Sequence, residues 1–139
     1  MNRIVLISCV KSKLDHPARA EHLYISPLFK YNLAYARKLK PNHIFILSAK
    51  YGLLRLTDKI APYEKTLKTM TVAEKRAWAE SVLAQLSKYA SLSNDDFIFL
   101  AGDSYREYLI PQIQHYQIPF EGFSFGNQLK ALKKLAGSL

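Results

Sequence analysis

Arg3-Ile4-Val5-Leu6-Ile7-Ser8-Cys9 is the stretch on which the fold turns. It is short and β-branched, and both of its alternating residue sets are apolar. A strand covered on both faces reads this way, whereas a half-exposed strand alternates and a helix spaces its apolar residues at three and four. Two further segments share the pattern: His43 to Ala49 (HIFILSA) and Asp96 to Gly102 (DFIFLAG). A shorter fourth strand is expected at 117–120. Helical patterns lie between these strands. Ser26 and Pro27 open a helix that Pro41 stops, and its stripe is expected to be Leu28, Tyr31, Tyr35 and Leu39, flanked by Leu33 and Ala36. Thr71 with Glu74 forms a capping box for a helix over 72–89, with Trp78, Val82, Leu86 and Tyr89 inward. A short helix follows Asp103 or Ser104, and Pro111 shortens or kinks it. A last helix covers 125–135.

Strands alternating with helices predict an α/β fold. It is expected as a three-layer, Rossmann-like, mostly parallel sheet of about four strands with helices on both faces, in one domain spanning 1–139. The 139 residues suit a single core, and 49% of them are hydrophobic, which excludes wholesale disorder. No apolar run approaches the ~20 residues that span a bilayer. The apolar start ends in Lys11-Ser12-Lys13 without a small-residue cleavage site, so a cytoplasmic protein is expected. Cys9 is the single cysteine, which excludes an internal disulfide and a multi-cysteine zinc cluster. His16 and His22 match no zinc spacing with Cys9. No metal and no cofactor are expected.

Parallel strands put their carboxyl ends on one edge, where open α/β sheets bind ligands. Ser8, Cys9, Lys11 and Lys13 follow the first strand. Ser48, Lys50, Tyr51 and Gly52 close the second. Gly102, Asp103, Tyr105 and Arg106 follow the third, and Gly126 and Gln128 come after the fourth. Small residues admit a close ligand and free amides at a helix start attract anions, so a phosphate-binding edge is expected with Lys11, Lys13, Lys50 and Arg106 supplying charge. Glycines that only make turns and lysines that only face water would look the same. Neither GxGxxG after the first strand nor GxxxxGK[ST] is present, which argues against a conventional dinucleotide or P-loop site. Cys9 beside two lysines is either a nucleophile or a small buried hydrophobe. Tyr51, Tyr63 and Tyr105 either stack on a base or close loops over the core. Asp103 is either an acid/base or ribose-binding group or a helix cap, and Glu64 is a second acidic candidate.

Ser8-Cys9-x-Lys11-x-Lys13, Leu23-Tyr24-x-Ser26-x-Leu28-Phe29, Gly102-x-x-Tyr105-Arg106-x-x-Leu109 and Gly126-x-Gln128-x-x-x-Leu132 resemble the landmarks of an uncharacterised bacterial and phage family, a domain of unknown function. Leu47 to Leu54 (LSAKYGLL) and Pro62-Tyr63-Glu64-x-Thr66-Leu67 match its central signature and are similar to a segment of the YaaA peroxide-stress proteins. The resemblance implies an α/β fold whose signature segments line one cleft. The YaaA similarity implies association with DNA. Arg55-Leu56-Thr57 stands where YaaA-type sequences carry Arg-Pro-Leu, and Lys65 replaces their arginine.

Twenty Lys+Arg against 11 Asp+Glu leave a net charge of +9, which points to an anionic partner: a phosphate-containing small molecule or nucleic acid. An enzyme acting on a nucleotide, nucleoside or nucleic-acid base is expected first, with Asp103 and Cys9 as the catalytic candidates. The alternative is a non-catalytic DNA- or RNA-binding module, with Lys130, Lys133 and Lys134 on a basic helix. A small-ligand sensor or interaction subunit is the third.

Overall fold

The computed structural model describes residues 1–137. Its main sheet has five strands: β1 (Arg3–Ser8), β3 (His43–Ser48), β4 (Gly52–Arg55), β6 (Asp96–Leu100) and β7 (His115–Gln117). They lie in the order β4-β3-β1-β6-β7. β3, β1, β6 and β7 run parallel, and β4 alone is antiparallel to its neighbour. Central β1 fixes the register on both sides, with Val5 opposite both Ile44 and Ile98. Ile4, Val5, Leu6 and Ile7 are all buried, so both faces of β1 are covered, as its doubly apolar pattern requires.

The sheet has one strand more than the sequence suggests. Residues 50–69 read as a connection, yet Gly52–Arg55 fold back as β4 and bury Leu53 and Leu54. Gly52 makes this return possible. Its φ is +76°, and an added Cβ would meet Gln85 Oε1 at 2.7 Å, an atom that accepts the Leu53 N–H. β7 meets the expected strand at 117–120 only at Gln117, and residues 118–120 are not strand. All three of its residues are exposed, so backbone pairing with Asp96–Ile98 sets it and no apolar pattern marks it.

The connections 10–26 and 50–69 also hold structure. β2 (Ala18–Arg19) pairs antiparallel with β5 (Lys59–Ile60), and α1 (Ala20–Leu23) follows β2 directly. The Ala20 and Glu21 amides donate to Asp58 O and Leu56 O. The connections are thus tied to one another above the sheet edge.

α2 (Pro27–Lys38) starts as expected, with Ser26 Oγ accepting from Phe29 N. Its buried face is Phe29, Asn32, Leu33 and Ala36, not the Leu28/Tyr31/Tyr35/Leu39 stripe. Both sets obey helical spacing. α2 packs on β1 and also on α5 (Phe125–Ala136), and the tyrosine side is half-buried. Tyr35 accordingly meets Phe120 at 5.7 Å. α3 (Val72–Leu86) has the expected capping box and buries Ala79, Val82 and Leu86. It stops three residues short of Tyr89, which is exposed and packs on His43 and Phe45. α4 (Asp103–Arg106) is one turn. No helix among the described residues is long and apolar enough to cross a membrane.

Candidate functional site

The chain leaves β1 for β3 on one side and later reaches β6 on the other. The connections at the carboxyl ends of β1 and β6 therefore diverge, which is where open α/β sheets form a crevice. Cys9 follows β1 and is held to the sheet edge by its amide, which donates to Leu47 O at 3.0 Å. Tyr105 rises from α4 after β6. The Cys9 thiol and the Tyr105 hydroxyl meet there at 3.4 Å.

Four more polar groups join them from three other segments. Ser48, the last residue of β3, is fully buried. Its Oγ accepts from Lys50 N at 3.3 Å and Tyr51 N at 3.0 Å, and donates to the Tyr63 hydroxyl at 2.8 Å. The Tyr63 hydroxyl in turn hydrogen-bonds that of Tyr24 at 2.6 Å, with either one able to donate. Lys13 Nζ lies 4.4 Å from the Tyr63 ring centre and 5.8 Å from that of Tyr24, and donates to Lys11 O at 3.2 Å. Trp78 backs the cluster. Its indole N–H donates to Ser48 O at 2.9 Å, and its ring stands edge-on to Tyr105 at 5.9 Å.

Burial governs the proton affinities here. It pushes Tyr24 and Tyr63 well above the ordinary phenol value, and neighbouring Cys9 adds to this in both. Tyr105 is pushed up to about 12 by burial first and then by Cys9. All three stay protonated at neutral pH. Partial burial lowers Lys13, opposed by attraction to Cys9 and Glu64. The cluster thus combines neutral hydroxyls, one thiol and the Lys13 ammonium, which has no carboxylate ion-pair partner among the described residues.

The residues singled out from the sequence divide into three groups. Cys9, Lys13, Ser48, Tyr63 and Tyr105 converge in the cluster. Tyr51 borders it, 5.5 Å from the Tyr63 ring, with Lys50 Nζ 5.3 Å from the Tyr51 ring centre. Ser8 is half-buried at the end of β1, and Lys11 is exposed beside it. The amides of Lys50 and Tyr51 are spent on Ser48, so this turn does not present them to an anion.

Asp103 and Arg106 pair with each other. The guanidinium also donates to Ala101 O at 2.7 Å and lies 3.9 Å from Glu121. Asp103 is exposed, and the Arg106 charge is already answered by two carboxylates. Gly102 is the residue before α4, with open space where a Cβ would stand. Gly126 and Gln128 lie in the first turn of α5 and make no hydrogen bond to the cluster among the described residues. His16 pairs with Asp15, and His22 approaches Glu21 at 3.9 Å. Among the described residues no group of three or more His, Cys, Asp or Glu is arranged to hold a metal.

Tyr24 and Trp78 are cluster residues that the chemistry of the sequence did not mark. Tyr24 stood only within a quoted motif. Trp78 read as part of an apolar helix stripe, which an indole N–H also satisfies. Beside the cluster lies an open groove of about 390 Å³, between the turn 49–52, Lys65 and the outer face of α3.

A mostly parallel five-stranded sheet with helices makes this an α/β protein. The chain belongs to a family of unknown function (DUF6884), whose model matches residues 4–134. No curated protein and no solved structure matches it.

Proposed function

We propose that the protein is a cytoplasmic enzyme acting on a nucleotide, nucleoside or nucleic-acid base at the crevice between β1 and β6. The observation that carries this reading is the convergence of Cys9, Lys13, Tyr24, Ser48, Tyr63 and Tyr105 from five separate segments on one buried spot at the carboxyl edge. A core needs no such concentration of hydroxyls, and each must be satisfied at a cost. In this reading Lys11, Lys13 and Lys50 hold phosphate, and Tyr51 orients the base. Cys9 is the nucleophile, with its thiol donating to the Tyr105 hydroxyl at 3.4 Å. Asp103 contacts a ribose hydroxyl or moves a proton, and Arg106 holds it in place. The reversal of strand order at β1, with β3 laid on one side and β6 on the other, supports a doubly wound, Rossmann-like arrangement. Right-handed crossovers would then set α2 and α3 on opposite faces.

Thermal unfolding with nucleoside monophosphates, nucleosides, free bases and inorganic phosphate tests the reading. A ligand at about 100 times its Kd adds about 2.7 kcal/mol of stability. The gain should vanish in Lys13→Met and persist in Cys9→Ser, which should lose turnover. If none of these compounds raises the midpoint above a chloride control of equal ionic strength, the proposal fails. The second reading is a non-catalytic nucleic-acid module. Exposed Lys130, Lys133 and Lys134 on α5 favour it. It requires that Lys130→Gln with Lys134→Gln weaken oligonucleotide binding.

A further inference from the structure

We infer that the groove beside the cluster takes single-stranded nucleic acid, so that the target is a base within a strand rather than a free nucleotide. This rests on the nucleotide-directed reading above. Lys50 and Lys65 are exposed on two walls of the groove, and neither has a carboxylate ion-pair partner among the described residues. The carboxylate that lines it, Glu74, caps α3, where its Oε1 accepts the Thr71 amide at 3.0 Å, and it attracts Lys65 without forming an ion pair. Lys50 and Lys65 against Glu74 therefore leave the groove a net positive charge to offer a phosphate backbone.

Tyr51 and Trp78 add aromatic surface. The Trp78 N–H is already used on Ser48 O, so its ring offers packing and no further donor, which suits stacking without base preference. Tyr51 is common to both places: it lines the groove and stands 5.5 Å from Tyr63 in the cluster. A strand lying in the groove would therefore lead toward the crevice. The groove's volume of about 390 Å³ would suit a small ligand, but the groove lies open to solvent, unlike the enclosing pockets that bury most of one. It is also too small for a duplex, whose bases are moreover hidden until unpaired.

Fluorescence anisotropy with labelled oligothymidylate and oligouridylate of about ten nucleotides tests this, with thymidine and uridine monophosphates as competitors. Oligomers should bind at least about tenfold more tightly than monomers, and comparing the two oligomers separates DNA from RNA. Lys65→Gln should reduce the slope of log K against log salt by about 0.7, the share of one phosphate contact on a single strand. Ser81→Glu, an exposed change in the groove wall, should weaken oligomer binding and leave monomer binding intact. Lys88→Gln removes the same charge beyond the end of α3 and should do neither. Equal affinity for oligomer and monomer, or equal loss in Lys88→Gln, overturns the groove and leaves the nucleotide reading standing. If neither oligomer nor monomer binds, both fall. Tight oligomer binding that responds to Lys65→Gln, without monomer binding, supports the groove and sinks the mononucleotide site.

Discussion

Asp95 shows how a single residue inside an apparently bland turn can tie distant parts of a chain. Its buried carboxylate accepts the Ser91 amide and the Asn2 amide, each at 2.8 Å, and so fastens the start of β1 to the turn before β6. These two hydrogen bonds hold its carboxyl below the ordinary carboxylate range. A depressed folded-state value means that the contribution is present above the unfolded value of about 3.9 and is lost as the pH falls below it. Asp95→Asn should therefore cost about 1 kcal/mol at neutral pH and flatten the loss of stability below about pH 4. Urea midpoints at pH 7 and pH 3.5 for both proteins check this, and parallel loss in the two would refute it. At the same scale, Cys9, Lys13, Ser48, Tyr63 and Tyr105 were readable as candidates because each stands at or near a strand end. Their mutual bonding was not. Whether Ser48 serves an incoming anion or the turn amides depends on where Tyr63 comes to lie, 15 residues on.

Secondary elements were legible where chemistry and burial repeat the same message. β1, β3 and β6 are apolar on both faces, and the Thr71–Glu74 box marks the start of α3. That box governs an element which supplies Trp78 to the cluster and Gln85 to β4. Thr71→Ala should destabilise the protein by about 1 kcal/mol, and Thr71→Ser should recover most of it. Urea denaturation gives both values, and an unchanged midpoint in Thr71→Ala would show that the cap contributes nothing. The elements that escaped notice are short or exposed. β4 depends on a hairpin shaped by Ser48 and by the positive φ of Gly52, and β7 has no buried residue. The buried side of α2 lies about one position along from the Leu28/Tyr31/Tyr35/Leu39 stripe. α5 half-buries a second face of that helix, so two apolar stripes compete in its sequence.

Across the whole molecule the charge of +9 separates into two populations. Arg19 and Arg37 pair with Glu21, Arg55 with Asp58, Lys75 with Glu107, and Arg106 with Asp103 and Glu121. Carboxylates are thus used mainly on arginines, and lysines such as Lys11, Lys50, Lys65, Lys130 and Lys134 carry the excess. Self-repulsion among them should make the melting temperature rise by about 2 °C or more as salt is raised from about 10 mM, where the Debye length is ~30 Å, to about 100 mM, where it is ~10 Å. Calorimetry checks this, and a melting point that falls with salt would contradict it. By itself the sequence determined the alternation of buried strands and helices, the caps of α2 and α3, and the edge at which chemistry collects. Those features follow from local spacing and from apolar residues that must leave water. Tertiary structure alone decided the strand order, the added β4, the joining of the two long connections, and the meeting of Cys9, Tyr24, Tyr63 and Tyr105. Contacts across 39 to 96 positions depend on how layers stack, and residue spacing along the chain carries no record of that.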